Sequence, residues 1–358
     1  MNIRDRFLPF FARLFIVLFW LSVCLFFLVV PGFVYRTYIY SNQKSITVLT
    51  WPALVDTQYI QQFEKDTGIR VHMRYFETNE ELLTKMQLTN GKGYDLIMPS
   101  EYMAEVMIKE GLLKKIDKTK LAFFNQLRPH LINNYYDAEN NYVIPFFWSI
   151  YGIAIDKDYF AGKEFKSSWG LVFAPNDSGY YVSMVDDGRV LALLAAQYLY
   201  GSLSHIDSIQ FEQIKQLLIR QKKWVELYTD DRANFLLASK ACPVAVTSHA
   251  VVARIMPMFK NIEFIIPEEG SFLNIDVFAM PKTTNKDDLV YAFLSYMYSE
   301  SSLKHHMEKF GYFSPLKDIA ADQAAIPLPT DDQLAKAHLF KNILTKEQLS
   351  DLWIALKA

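Results

Sequence analysis

The nine residues from Tyr94 to Tyr102 place the tightest constraint on how this chain folds. The apolar run from Asp95 to Met98 predicts a short strand that is covered on both faces, as in a parallel sheet. Pro99 cannot donate to the sheet ladder and ends the strand, and Ser100 stands where the N-cap of a helix from Glu101 to Lys109 belongs. Because ligands bind beyond the carboxyl ends of strands in open α/β sheets, this turn is a candidate ligand site.

Strands and helices alternate through the residues that precede this stretch. β-branched and apolar runs predict strands at Ser45–Thr50 and Ile69–Phe76, and apolar residues at helical spacing predict helices at Thr57–Thr67 and Asn79–Asn90. Strand–helix alternation of this kind is typical of a parallel sheet with helices on both faces.

The second half of the chain contains two long extended runs. Asn140–Asp156 reads as a crossover into another lobe, and Asn274–Pro281 reads as a crossover back. Between them, a strand is predicted at Tyr180–Val185 and a helix at Val190–Tyr200. The tail from Thr330 to Leu356 is amphipathic and is predicted to be helical.

Two α/β lobes joined by two extended crossovers predict a two-lobed periplasmic binding protein fold of type II, which closes on its ligand about a hinge. We expect residues 45–150 together with 277–312 to form the first lobe and residues 151–276 to form the second. Residues 313–358 would form a C-terminal helical segment.

Residues 14–35 carry no charge and are long enough to span a bilayer as a helix. Three arginines precede this run, whereas Arg36 and Lys44 follow it, which favours an N-terminus inside the cell. No Ala-x-Ala cleavage site follows, so residues 1–44 are predicted to be a cytoplasmic stub and an uncleaved transmembrane signal anchor. Cleavage, or lipidation at Cys24, remains an alternative.

Charge and cysteine content narrow the class of partner. The chain has two cysteines, Cys24 in the apolar run and Cys242 far from it, so no disulfide is expected within the exported part. Residues 45–358 hold 32 basic and 38 acidic residues. This balance disfavours nucleic acid as a partner and is compatible with a cationic ligand.

Several predicted strand ends carry polar or aromatic side chains that would meet in one crevice. They are Trp51, Ser100 with Tyr102, Asp187, Thr247 with Ser248, and Asn274 with Asp276; Tyr312 follows a helix and could join them. Carboxylates pair with nitrogen, and aromatic rings cover methylene groups and attract cations. The set therefore suits an alkyl-ammonium ligand, and it contains neither a metal cluster nor a catalytic constellation.

Each of these residues also has a purely structural interpretation. Asp187 before a glycine suits a helix N-cap, Asp276 could accept a backbone amide bond, and Trp51 and Tyr312 could belong to the core. An enzyme using Asp187, or a thiol dyad of Cys242 and His249, is a further alternative. However, a free cysteine in an apolar strand is usually inert.

The chain resembles the spermidine/putrescine-binding proteins of bacterial polyamine ABC transporters from about Ile46 to Pro315. The residues that carry the resemblance are Phe63–Ile69, Tyr94–Ser100, Lys109–Gly111, Lys115–Lys118, Ile144 and Pro145 with Trp148, Asp186 and Asp187, Val252–Arg254, and Gly311 with Tyr312. The resemblance implies a two-lobed binding protein that delivers its ligand to a permease and an ATPase.

The resemblance also implies ligand-contacting residues. Six positions match the family's pattern: Trp51, Ser100, Tyr102, Asp187, Asp276 and Tyr312. Six others depart from it: Ala53 and Val190 replace acids, Leu54 replaces a tyrosine, Pro52 replaces a hydroxyl residue, and Val246 and Asn274 stand near or at tryptophan positions. Each lost charge-assisted contact costs about 1.5–3 kcal/mol, so a diamine is expected to bind more securely than spermidine.

We therefore predict an extracytoplasmic solute-binding protein of an ABC importer. It would be a monomer in the periplasm, anchored to the inner membrane, that captures putrescine or spermidine and uses no metal or cofactor. In this interpretation the chain is not an enzyme. The same fold could bind a different amine or another solute, or the chain could be a non-transport interaction protein with a degenerate pocket.

Overall fold

A computed structural model of the chain describes residues 44–52, 54–174, 179–201, 204–230, 232–319 and 325–357, together with Trp20. The predicted anchor at residues 14–35, including Cys24, lies outside these ranges apart from Trp20. Within them, no helix combines the length and the apolar character needed to cross a membrane.

The described residues form ten strands and thirteen α-helices. The strands are β1 (Ser45–Thr50), β2 (Arg70–Tyr75), β3 (Leu96–Ile97), β4 (Val143–Asp156), β5 (Val182–Met184), β6 (Val225–Tyr228), β7 (Val244–Ser248), β8 (Ile262–Ile265), β9 (Ser271–Ala279) and β10 (Ala337–Leu339). The helices are α1 (Thr57–Thr67), α2 (Asn79–Thr89), α3 (Glu101–Lys109), α4 (Lys157–Phe160), α5 (Gly170–Phe173), α6 (Gly188–Tyr200), α7 (Ser208–Gln221), α8 (Ala233–Ala238), α9 (His249–Ala253), α10 (Asp287–Met297), α11 (Glu300–Phe310), α12 (Asp331–Ala335) and α13 (Lys346–Lys357).

The strands pair in the order β2-β1-β3-β9-β4-β7-β5-β6, with β10 on β9 and β8 on β4. β1 runs parallel to both β2 and β3, as the strand–helix alternation predicts. β9 runs antiparallel to β3 and to β4. The result is a curled sheet, and each of its two ends forms the sheet of one α/β lobe.

The long strand β4 changes partners along its length. Its first part, up to Ile150, pairs with β9, whereas Tyr151 to Ile155 pair with β7 on one side and the end of the strand pairs with β8 on the other. The register shifts between Pro145 and Trp148, where proline cannot donate to the ladder. The extended run predicted from Asn140 to Asp156 is therefore a strand shared by both parts of the sheet.

Two local predictions are wrong. The tail is not continuously helical, because Ala337–Leu339 forms β10 and pairs in parallel with Ser271–Leu273 of β9. In addition, Asn274 and Asp276 do not stand at a strand end but inside β9. In both cases a partner that is distant in the sequence decides the conformation.

Asp95 connects the first strand to the segment that follows β9. Its buried carboxylate accepts hydrogen bonds from Thr47 N at 2.8 Å and Thr284 Oγ1 at 2.8 Å, and it pairs with Lys286 Nζ at 3.0 Å. The Asp95 side chain is 9% exposed, so these partners replace nearly all of its contact with water.

We expect Asp95→Ala to lower the free energy of unfolding by about 2–4 kcal/mol, because the backbone amide of Thr47 and the hydroxyl of Thr284 would lose a buried partner. Urea unfolding of residues 44–358, followed by tryptophan fluorescence, measures this change. Asp158→Ala is the matched control, because the Asp158–Lys240 pair is more than half exposed and contributes less than about 1 kcal/mol. Equal losses in the two variants would contradict the prediction.

Candidate functional site

A cleft of about 1040 Å³ lies between the two parts of the sheet. Its walls come from the residues after β1, from the middle of β4 and β9, from the end of β7, and from α3, α6 and α13. This volume is in the range of small-molecule sites in proteins.

The six residues that match the family's pattern all lie at this cleft. Trp51, Ser100, Tyr102, Asp187, Asp276 and Tyr312 each contribute to its lining. Their contact with a ligand stays a prediction, but the structure places them around one cleft.

Asp276 is the most deeply buried acid of the cleft lining, with 5% of its surface exposed. Burial raises the pKa of its carboxyl to about 7, and the neighbouring Trp51 indole N–H limits this rise. The Trp51 ring packs on Phe76 with 4.4 Å between centroids. Its indole N–H is buried and forms no well-directed hydrogen bond within the described residues.

A second acid lies behind the cleft wall. Glu101 is fully buried, and its Oε2 accepts a hydrogen bond from Ile275 N at 3.1 Å. Burial raises the pKa of Glu101 to about 8, with backbone hydrogen bonds opposing the rise and the nearby Asp276 charge adding to it. Both acids are therefore partly protonated near neutral pH, and a positive charge entering the cleft would favour the ionised form of Asp276.

Ser100 and Tyr102 belong to one polar network. Ser100 occupies the N-cap position of α3, but its hydroxyl makes no capping bond. It accepts instead from Asn79 Nδ2 at 3.2 Å, and the same amide nitrogen donates to the Tyr102 hydroxyl at 2.7 Å. Ser100 thus stands at the predicted N-cap position, but its side chain bonds to Asn79 instead of capping the helix.

The geometry of Asp187 is compatible with both roles that the sequence leaves open, a helix cap and a ligand contact. Its Oδ1 caps α6 by accepting from Arg189 N at 2.7 Å and from Val190 N at 3.1 Å. These two bonds use one carboxylate oxygen of a side chain that also lines the cleft.

Tyr312 is positioned by the glycine before it. Gly311 has φ of 78°, and a Cβ at that position would lie 2.6 Å from the Ala250 carbonyl oxygen. Only glycine permits this close turn without strain. The Tyr312 ring then stacks on Phe147 at 5.7 Å, and burial raises the pKa of its hydroxyl above the ordinary value, which keeps it neutral.

The departures from the family pattern also lie at the cleft. Pro52, Leu54, Val190 and Asn274 line it, and Val246 is fully buried in β7. Ala53 lies outside the described residues. One wall is therefore more apolar than the resemblance implies, with Val190 standing where an acid is expected.

Sequence reasoning missed several residues that line the cleft, including Glu80, Arg189, Arg254 and Trp353. Trp353 lies on α13, where its ring is 3.4 Å from the position that a Cβ on Gly188 would occupy. The amphipathic tail was the available signal, but nothing in it indicates which surface the apolar face covers.

The thiol alternative is not favoured by the structure. Cys242 is buried, and burial raises the pKa of its thiol to about 11. His249 is also buried, its pKa is lowered to about 3, and its ring stacks on Phe313 at 3.6 Å while Nδ1 accepts from Ile150 N. A neutral thiol and a histidine committed to packing provide no activated nucleophile.

Comparison with known proteins finds relatives that are all solute-binding proteins. The family of bacterial extracellular solute-binding proteins matches residues 58–337. The spermidine/putrescine-binding periplasmic protein of Escherichia coli is 28% identical over 294 residues, which cover 82% of this chain and 83% of that protein. The putrescine-binding periplasmic protein PotF of the same organism is 25% identical over 305 residues, with 80% of each chain covered.

A solved structure supports the fold. The spermidine/putrescine ABC transporter substrate-binding protein PotD of Streptococcus pneumoniae superposes with a TM-score of 0.75 at 24% identity, covering 88% of this chain and 98% of that one. The predicted two-lobed fold and the family resemblance are thus confirmed. Because the family match spans most of its length, the chain belongs to the bacterial extracellular solute-binding proteins, which are binding proteins and not enzymes.

Proposed function

We propose that this protein captures a polyamine-like dication, with putrescine as the simplest member, in the cleft between its lobes and delivers it to an ABC importer. The observation that carries the proposal is the buried carboxyl of Asp276, which faces the cleft beside the Trp51 indole. A carboxylate next to an aromatic face provides both the counter-charge and the apolar cover that an alkyl-ammonium group requires.

The charge of the cleft lining supports a cationic ligand. Six carboxylates line the cleft against two guanidinium groups. In this proposal Asp187 and Asp276 hold the two ammonium groups, Ser100 adds a hydrogen bond, and the alkyl chain packs between the rings of Trp51, Tyr102 and Tyr312.

A second candidate is an amine that also carries a carboxylate, such as an amino acid. Arg189 and Arg254 in the cleft lining favour it, because a guanidinium pairs with a carboxylate in a bidentate manner. The greater number of acids in the lining places this candidate behind a diamine.

The names of the relatives support a transport role for the proposed function. The protein would act as a monomer in the periplasm and present its ligand to permease subunits, with residues 45–150 and 277–312 moving as one lobe against 151–276. Residues 14–35 would anchor it to the inner membrane. Alkaline extraction of membranes tests the anchor, because a spanning helix keeps the chain in the pellet whereas a cleaved chain is found in the soluble fraction.

We expect calorimetry to show putrescine and cadaverine binding with micromolar or tighter affinity and spermidine binding at least about tenfold more weakly. Spermidine has a third ammonium group, and the acids that would pair with it are replaced by Ala53 and Val190 in this chain. Each lost charge-assisted contact costs about 1.5–3 kcal/mol. The control ligand is 1,4-butanediol, which has the length of putrescine but no charge. Absence of heat with every polyamine, at protein concentrations that detect micromolar binding, would overturn the proposal.

Putrescine affinity is expected to depend on pH through Asp276. Its pKa of about 7 means that below pH 7 the carboxyl must lose a proton before it pairs with an ammonium. Affinity therefore rises about tenfold per pH unit up to about pH 7 and then levels off, with one proton released per ligand at the lower pH. Calorimetry in buffers of different ionisation enthalpy counts this proton.

Two variants assign the pH effect to a residue. Asp276→Asn should weaken binding and remove the rise with pH. Asp186→Asn should keep the rise, because Asp186 lies at the cleft but is 45% exposed and already pairs with Lys357. A rise that persists in Asp276→Asn would contradict this assignment.

A further inference from the structure

Arg189 reaches from one lobe to the other across the cleft. It is the second residue of α6, in the part of the chain that we assign to the second lobe, and its side chain is only 12% exposed. Its guanidinium carbon lies 4.3 Å from the centroid of the Tyr102 ring, which belongs to the first lobe. Stacking of this kind between a guanidinium and an aromatic face is favourable, more so when water is excluded.

The ring that receives Arg189 is held in place. Tyr102 is 8% exposed, and Asn79 Nδ2 donates to its hydroxyl at 2.7 Å. Arg189 Nη2 also lies 3.6 Å from Glu80 Oε1, on the helix that carries Asn79. Because Glu80 is 65% exposed, this ion pair contributes little by itself, and the stacking on Tyr102 is the larger part of the contact.

The contact depends on the distance between the lobes. Arg189 is anchored through its own backbone, since its N–H donates to the cap Asp187, and Tyr102 is anchored through Asn79. If the lobes separate by several ångströms, the guanidinium leaves the ring and returns to water. The contact therefore forms only when the cleft is closed.

We propose that Arg189 is an interlobe latch and a positioning residue: by stacking on Tyr102 it stabilises the closed cleft and so slows the release of any ligand held between the lobes. The inference rests on the function proposed above, because it concerns the same cleft. A latch adds the same free energy to every closed complex, whereas a residue that contacts the ligand changes the preference between ligands.

The test compares the Arg189→Gln variant with the parent chain, both as residues 1–358 in detergent solution. The ligands are putrescine and spermidine. We expect calorimetry to show that the dissociation constants of both ligands rise about tenfold. This rise should come from a larger dissociation rate constant, with little change in the association rate constant. The ratio of the putrescine dissociation constant to the spermidine dissociation constant should be the same as in the parent chain. Arg189→Lys, which keeps the charge without the flat guanidinium, should recover part of the affinity.

Arg220→Gln is the matched control, since it removes the same charge from an exposed position on α7 in the same lobe. It should leave both dissociation constants unchanged, which separates the latch from long-range electrostatics. Thermal unfolding of Arg189→Gln verifies that the variant is folded.

Small-angle X-ray scattering gives a readout that needs no ligand. Arg189→Gln should have a larger average radius of gyration than the parent and Arg220→Gln, because the open form is more populated. Unchanged or tighter binding, an altered putrescine-to-spermidine ratio, or an unchanged radius of gyration would each overturn the latch. If the parent chain binds neither polyamine, the proposed function fails, and the scattering comparison still decides the latch.

Discussion

The antiparallel pairing of β4 and β9 is the contact on which the rest of the structure depends. β4 is buried along nearly all of its 14 residues and carries the chain from one lobe's sheet into the other. Gly152 permits this, because a Cβ there would lie 2.5 Å from the Ile265 carbonyl oxygen of β8. Asp276 of β9 and Tyr151 of β4 face the cleft from these strands, so the element that joins the lobes is also the floor of the site.

Placing acids in such a floor has a thermodynamic consequence. Asp276 and Glu101 have pKa values raised by burial, so they bind protons in the folded state at a pH where the unfolded chain has released them. Their contribution to stability is therefore lost as the pH rises from about 4 through 7 to 8. A cation in the cleft offsets the cost of ionising Asp276. The fold thus carries a local instability at neutral pH that a positively charged ligand relieves, as functional sites often do.

The sequence was sufficient for the α/β order and for much of the cleft, because strand–helix alternation and the turn at Tyr94–Tyr102 are local patterns. It failed where a distant partner decides the outcome. β10 forms because β9 offers it a free edge, and the Ser100 hydroxyl turns to Asn79 rather than to its own helix. Arg189 and Trp353 were missed for the same reason, since the role of each side chain depends on what its helix packs against.

The positions of the two cleft acids in different parts of the fold also bear on the choice of ligand. Asp276 lies on β9, whereas Asp187 caps α6. If α6 belongs to the second lobe, as proposed, lobe closure sets the separation of the two carboxylates. A monoamine satisfies one of them and leaves the other to water or to a guanidinium of the cleft. In the proposed function, a diamine would satisfy both only in the closed form and would add its own bridge to the contact proposed for Arg189. Ligand charge and lobe closure would then be coupled, and this coupling would let a cleft with an apolar wall at Val190 still select a dication.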